Sequence, residues 1–198
     1  MANVKALIFD VDGVLADSRE ANYNLFAKLF SEFGFVPPKP HEIDALGGQT
    51  SRETICALVP GIEEPLLSEM LAKTSELAKE AVKGIRKTEL AEALPGLSST
   101  YSIAVVTNRR KPSTDALLSR FGIAQHLSAM MTCEDGEPKP SPDLLNKALA
   151  KMSVQAHEAL YFGDSECDKQ AAEAAGIRMH MVSAQTKKEE ISAILSQR

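Results

Sequence analysis

Short, nearly unbroken apolar runs alternate with longer amphipathic stretches along this chain. The first run, Val4-Lys5-Ala6-Leu7-Ile8-Phe9, ends abruptly at Asp10-Val11-Asp12-Gly13. Four more follow, over residues 102–107 (SIAVVT), 127–132, 159–163 (ALYFG) and 178–182. Runs of this kind are what parallel strands look like when both faces are buried. Helix-like segments lie between or after them, over 113–121, 141–152, 168–175 and 187–197, and Gly122 and Gly176 stand where C-terminal caps belong. Strands alternating with helices predict βαβ units, so the fold class is α/β: a Rossmann-like parallel sheet with helices on both faces.

Residues 16–92 break the alternation. Residues 17–33 read as an amphipathic helix with Leu25, Leu29 and Phe30 on its apolar positions. The proline-rich connection Phe35-Val36-Pro37-Pro38-Lys39-Pro40 follows, then helices over 41–46, 51–59 and 64–82. The expected organisation is an α/β core from residues 1–15 and 93–198, interrupted by an all-helical cap over 16–92, with hinges near 15 and 93.

The bulk properties narrow the function without naming it. A chain of 198 residues with 25% charged and 44% hydrophobic residues can bury a sizeable core. Its net charge of -5 comes without a basic block, so no nucleic-acid partner is expected. A phosphorylated substrate must therefore find a local cation rather than a favourable overall field. Cys56, Cys133 and Cys167 share no metal-like spacing and form no even disulfide set. Neither a signal peptide nor a membrane span is expected, which places the chain in a reducing cytoplasm.

The polar residues that matter fall at the ends of the expected strands. In open α/β sheets ligands bind there, outside the carboxyl edge. Asp10 and Asp12 close the first strand, and adjacent carboxylates repel unless a cation such as Mg²⁺ lies between them. Thr107-Asn108 closes the second, offering a hydroxyl and an amide. Lys139 stands among three prolines in Glu137-Pro138-Lys139-Pro140-Ser141-Pro142-Asp143, just before a helix. Gly163-Asp164-Ser165-Glu166-Cys167-Asp168 closes a further strand with more acids. Taken singly, these read as a helix cap, a solvated lysine and an acidic turn. Together they supply a nucleophile, an acid/base, a cation and a metal site, which is what phosphoryl transfer requires.

At these residues the chain resembles the haloacid dehalogenase superfamily, and within it the helical-cap phosphatases of the phosphoglycolate phosphatase type. Asp10-Val11-Asp12-Gly13, Thr107-Asn108, Lys139 and Gly163-Asp164 through Asp168 match the four family motifs in order. Leu94-Pro95-Gly96, Val105 through Arg109 and Ala174-Ala175-Gly176 extend the likeness over nearly the whole chain. The resemblance implies that Asp10 is the nucleophile, forming an aspartyl-phosphate, and that Asp12 is the acid/base. It places Mg²⁺ on Asp10, Asp164 and the backbone carbonyl of Asp12. It makes Gly13, Thr107 and Asn108 the grip on the phosphoryl group, Lys139 the charge neutraliser, and Asp168 a group orienting Lys139 or the metal's waters.

Selectivity must then come from the cap. Gly47-Gly48-Gln49-Thr50-Ser51-Arg52-Glu53 is its expected contributor: the glycines permit a tight turn, Ser51 can cap a helix, and Arg52 can reach the substrate's far end. The alternative for Arg52 is an ion pair on a helix surface. Relatives carry a longer helical segment before the second strand than Leu97 to Tyr101 allows, so one sheet flank is expected to be thinly covered. Cys167 is expected to be an unreactive thiol.

The leading expectation is a Mg²⁺-dependent phosphatase for a small phosphorylated metabolite, as a monomer or homodimer. The alternatives are a sugar phosphomutase of the β-phosphoglucomutase type, a pyrophosphatase or nucleotidase of the same superfamily, and a non-catalytic binding protein. Arg109-Arg110-Lys111-Pro112 favours the phosphatase branch over the mutases, which carry a small, serine-rich stretch there. Asp12 argues against dehalogenases and phosphonate hydrolases, which typically lack the second acid.

Overall fold

The computed structural model describes residues 4–196. Strand β1 (Ala6–Phe9) is flanked by β4 (Ser102–Val106) and β6 (Ala159–Gly163), all parallel. With β5 (Ala129–Met131) and β7 (Arg178–Met181) at the edges, the order is β5-β4-β1-β6-β7. The chain therefore builds outward from β1 in one direction and then in the other. The carboxyl end of β1 is where the strand order reverses, and Asp10 sits there.

Residue alternation explains why these runs are apolar throughout. Leu7, Phe9, Ile103, Val105, Leu160 and Phe162 join one buried cluster; Ala6, Ile8, Ala104, Val106, Ala159 and Tyr161 join another on the opposite face. Helices α5 (Glu89–Leu97), α6 (Lys111–Phe121) and α9 (Lys188–Ser196) cover the first cluster. Helices α7 (Asp143–Met152) and α8 (Glu166–Ala175) cover the second. Gly122 and Gly176 end α6 and α8 in the left-handed region, at φ +67° and +68°, as expected of cap glycines. The last helix was expected to reach Gln197, which lies outside the described residues.

The insert leaves through β2 (Ala16–Asp17) and returns through β3 (Arg86–Lys87), which pair antiparallel. No hydrophobic period announces this ribbon, because two residues are too few to carry one. Between its strands lie α1 (Arg19–Glu32), α2 (Pro40–Asp44), α3 (Ser51–Leu58) and α4 (Glu64–Ala81). They bury a cluster of their own around Phe26, Leu29, Phe30, Ile55, Leu67, Met70 and Leu77. Thr50, not Ser51, caps α3: its hydroxyl accepts from the Glu53 amide at 3.3 Å, and Glu53 reaches back to the Thr50 amide at 2.7 Å.

Helix α5 corrects the expected thin flank. It runs through Pro95 and Gly96, residues of low helix propensity, because Leu90, Ala91 and Leu94 are buried against the sheet. Leu97 and Tyr101 pack on the same cluster. Among the described residues the exposed large apolar side chains are Val36 and Met181, neither of them on this flank.

Candidate active site

The turn after β1 places two carboxylates differently. Asp10 is buried and keeps its strand bond, donating its amide to Phe162 O at 2.9 Å. Asp12 is partly exposed, and its Oδ1 accepts from Arg109 Nη1 at 2.8 Å. Gly13 has φ +71°, and a Cβ there would fall 1.6 Å from Asp164 Oδ2. A hydrogen at this position is what lets the Asp164 carboxylate approach the β1 turn. The Gly13 amide itself donates to Ala16 O at 2.8 Å, so it is used inside the turn.

Lys139, in the connection between β5 and α7, also reaches Asp10. Its Nζ lies 2.9 Å from Asp10 Oδ1, 2.5 Å from Asp168 Oδ1, 3.0 Å from the Tyr161 hydroxyl and 3.3 Å from Val106 O. Tyr161 also donates to Asp168 Oδ1. The other Asp168 oxygen accepts from Ser165 Oγ at 2.6 Å and from the Ser165 and Asp164 amides at 3.1 and 3.2 Å. Burial disfavours the Asp168 charge, but Lys139, Ser165 and Tyr161 prevail and hold its carboxyl below its ordinary range. Burial likewise works against the Lys139 charge, and Asp10, Tyr161 and Asp168 keep it well above its ordinary value.

Asp10 and Asp164 are left short of positive charge. Burial, reinforced by Asp168, Asp164 and Asp12, pushes the Asp10 carboxyl up to about 8 despite Lys139. Burial followed by Asp168 and Asp12 brings Asp164 to about 7. Asp10 Oδ1, although 2.9 Å from Lys139 Nζ, accepts no well-aligned hydrogen bond. Carboxylate oxygens of Asp10, Asp164 and Asp168 lie within 4.8 Å of one another. Both Asp168 oxygens are already committed, so Asp10 and Asp164 are the pair with capacity for a cation. A hard divalent ion with oxygen ligands fits this deficit.

Thr107 and Asn108 end β4 beside them. The Thr107 hydroxyl accepts from the Arg109 amide at 3.2 Å, which leaves its proton free to be donated. The Asn108 side chain accepts from Lys139 N at 2.8 Å and donates to Lys139 O at 2.8 Å and Gly48 O at 2.7 Å. It therefore fixes the lysine segment and joins the core to the insert's glycine turn. Gly48, at φ +82°, packs so closely that a Cβ would come 2.5 Å from Ser165 Oγ. Cys167 is half-buried in the same region, and burial raises its thiol above the ordinary value.

A cavity of ≈ 290 Å³ lies over these groups, reaching from Asp10, Asp12, Thr107 and Lys139 to the insert. Arg52 is not among its lining residues; it pairs with Glu64 at 2.8 Å on the insert surface. Besides Lys139, Arg109 brings a cation to the cavity floor; its side chain is only 11% exposed and its buried Nε has no partner.

Residues 7–182 match the family described as haloacid dehalogenase-like hydrolase. The chain belongs to that family. It is 27% identical over 183 residues to a phosphoglycolate phosphatase of Rhodobacter capsulatus, covering 87% of this chain and 81% of that one. A haloacid dehalogenase-like hydrolase from Bacteroides fragilis superposes with TM-score 0.85 over 96% of this chain and 93% of its own, at 22% identity. A β-phosphoglucomutase from Clostridium difficile shares the fold at TM-score 0.81, 17% identity and 98% coverage of both chains. The chain is thus a phosphatase-type hydrolase of the haloacid dehalogenase family, phosphoglycolate phosphatase-like, as its motifs led us to expect. No helix among the described residues is long and apolar enough to cross a membrane.

Two residues of this haloacid dehalogenase-family site were missed in the sequence. Tyr161 sits inside the strand run ALYFG and reads as one more apolar residue; the available signal was its hydroxyl, which needs a partner when buried. Arg109 follows Thr107-Asn108 directly, and its place at a strand end was the clue.

Proposed function

We propose that this chain is a Mg²⁺-dependent phosphatase acting on a small phosphorylated metabolite through an aspartyl-phosphate, with phosphoglycolate the first substrate to try. The observation that carries this reading is Asp10: a buried carboxylate at the strand-order reversal, 2.9 Å from a buried lysine and open to a cavity.

In this reading an Asp10 oxygen attacks phosphorus, and the P–O bond to the alcohol breaks. Asp12, at the partly exposed end of the pair, gives its proton to the departing alkoxide. It then takes a proton from the water that attacks the acyl phosphate, releasing inorganic phosphate and restoring Asp10. Thr107 donates to a phosphoryl oxygen, and Lys139 offsets the charge on Asp10 throughout. Asp10 and Asp164, with the Asp12 carbonyl, would hold Mg²⁺. When bound, it supplies positive charge that keeps Asp10 ionised and offsets the phosphoryl charge. Asp168 positions Lys139. Residues 16–92 act as a cap, and the Asn108–Gly48 bond suits a closed arrangement that excludes water. Three free cysteines suit a reducing cytoplasm.

The test is phosphate release over a panel of phosphoglycolate, sugar phosphates, nucleotides and pyrophosphate, with and without Mg²⁺. Asp10→Asn is expected to lose all turnover. If that variant still hydrolysed p-nitrophenyl phosphate, the nucleophile assignment would be wrong. Conversion of a sugar 1-phosphate to its 6-phosphate without phosphate release would instead establish a mutase.

A further inference from the structure

Tyr161 is fully buried in β6 and takes no part in the steps above. Its register partner on β1 is Ile8, two residues before Asp10, and it belongs to the cluster that α7 and α8 cover. Neither Tyr161 nor Asp168 lines the cavity, so neither meets the substrate. A phenylalanine would fill the same space. What it could not supply is the hydroxyl, a group that must find polar partners once buried.

The directions of the hydroxyl's hydrogen bonds are forced. The Lys139 ammonium has donors and no acceptor, and the ionised Asp168 carboxylate has acceptors and no donor. Tyr161 Oη therefore accepts from Lys139 Nζ at 3.0 Å and donates to Asp168 Oδ1. That settles where the lysine's protons go. All three have aligned acceptors: Asp168 Oδ1 at 2.5 Å, Tyr161 Oη at 3.0 Å and Val106 O at 3.3 Å. Asp10 Oδ1 stands nearer than the last two, at 2.9 Å, yet accepts no well-aligned hydrogen bond. Lys139 thus lends Asp10 its charge and withholds its protons.

We infer that Tyr161 is a positioning residue: its hydroxyl holds a Lys139 proton that would otherwise turn to Asp10 Oδ1, which keeps the nucleophile's lone pairs free for phosphorus. This rests on the phosphatase reading and adds a residue to it. A hydrogen bond on that oxygen is strongest while the carboxylate is free and weakens as the oxygen bonds to phosphorus. It would therefore stabilise the ground state of attack more than its transition state. When water displaces Asp10 from the acyl phosphate, the P–O bond to Asp10 breaks and its electron pair returns to the carboxylate. The same hydrogen bond would help that step. A merely loosened site would hinder both steps and weaken binding as well.

Tyr161→Phe separates these cases, since it keeps the ring and removes only the hydroxyl. Release of p-nitrophenol from p-nitrophenyl phosphate in a single turnover, with enzyme and Mg²⁺ in excess, reads attack on phosphorus alone. We expect its maximal rate to fall about 10–100-fold, the effect of one charge-assisted hydrogen bond. The half-saturating concentrations of enzyme and of Mg²⁺ stay as in the wild type, and phosphate appears in step with p-nitrophenol. An unchanged maximal rate, a rise in either half-saturating concentration, or phosphate lagging behind p-nitrophenol overturns the inference. If the wild-type chain releases no p-nitrophenol with Mg²⁺, the phosphatase reading itself is refuted, and this inference with it.

Discussion

Asp168→Asn is the most informative perturbation of this site, because it changes one atom and redirects five hydrogen bonds. The carboxylate is fully buried and accepts from Lys139 Nζ, the Tyr161 hydroxyl, Ser165 Oγ, and the amides of Ser165 and Asp164. An asparagine offers one acceptor oxygen and one NH₂. With the oxygen kept toward Lys139 and Tyr161, the NH₂ meets two backbone N–H groups that are donors themselves. Each buried donor left unpaired costs about 1–3 kcal/mol. Lys139 also loses a charged partner, and breaking a buried pair costs about 3–5 kcal/mol. Since these contributions overlap, the expected loss is about 3–5 kcal/mol, within the margin of about 5–15 kcal/mol that a folded domain holds.

The two orphaned amides belong to the turn that carries Asp164. The variant should therefore also weaken metal binding by about 10–100-fold, as changes to groups orienting metal ligands do. Urea unfolding gives the stability loss, and phosphate release against Mg²⁺ concentration gives the metal requirement. Tyr161→Phe is the control. It removes one O–H and leaves the Asp164 turn intact, so it should cost about 1 kcal/mol and hardly move the Mg²⁺ requirement. A stability loss below about 1 kcal/mol for Asp168→Asn, with Mg²⁺ dependence unchanged, would refute this account of the network.

Three further outcomes follow from the same geometry. Asp10 titrates at about 8 and Asp164 at about 7 in the fold, both above the ordinary 3.8, so the folded metal-free chain holds protons that the unfolded chain has released. Its stability should fall as pH rises from about 4 to about 8, and Mg²⁺ binding at pH 6 should release about two protons, against almost none at pH 9; calorimetry in buffers of different ionisation enthalpy measures this, and release independent of pH contradicts it. Gly13→Ala sets a methyl on Asp164 Oδ2 and demands φ +71° of a residue with a Cβ, so the Mg²⁺ concentration for half-maximal rate should rise at least about tenfold. Arg109→Gln leaves Asp12 without its ion pair and the cavity floor short of a cation, so kcat/KM should fall about 10–100-fold; an unchanged value would remove Arg109 from the site.

The sheet was legible because each of its inner strands is buried on both faces, which leaves no polar residue to interrupt the run. Ala6 to Phe9, Ser102 to Val106 and Ala159 to Gly163 announce themselves in this way. The chemistry was legible for a related reason: a strand that ends at the sheet edge exposes its next residues to the site, so Asp10, Thr107 and Asp164 stand directly after apolar runs. Helix α5 was not legible, since Pro95 and Gly96 have low intrinsic helix propensity and only packing of Leu90, Ala91 and Leu94 overrides it. Arg52 was a plausible ligand by charge alone, but nothing local to it shows that Glu64, twelve positions on, lies within 2.8 Å.

The insert's share of the cavity wall was hidden for a deeper reason. The residues at the cavity floor are read from contiguous turns, whereas the insert reaches the cavity through helix faces at three- and four-residue spacing. Leu71, Ser75 and Ala78 on α4 repeat the spacing of Leu67, Met70, Thr74 and Leu77, which are buried in the insert. The first set faces a cavity and the second a core, and a hydrophobic period cannot tell an empty side from a filled one. Only the packing of α1 and α4 above Asp10 separates them. The reaction can therefore be inferred from single strand ends, while the substrate requires knowing which side of a helix is left without a neighbour.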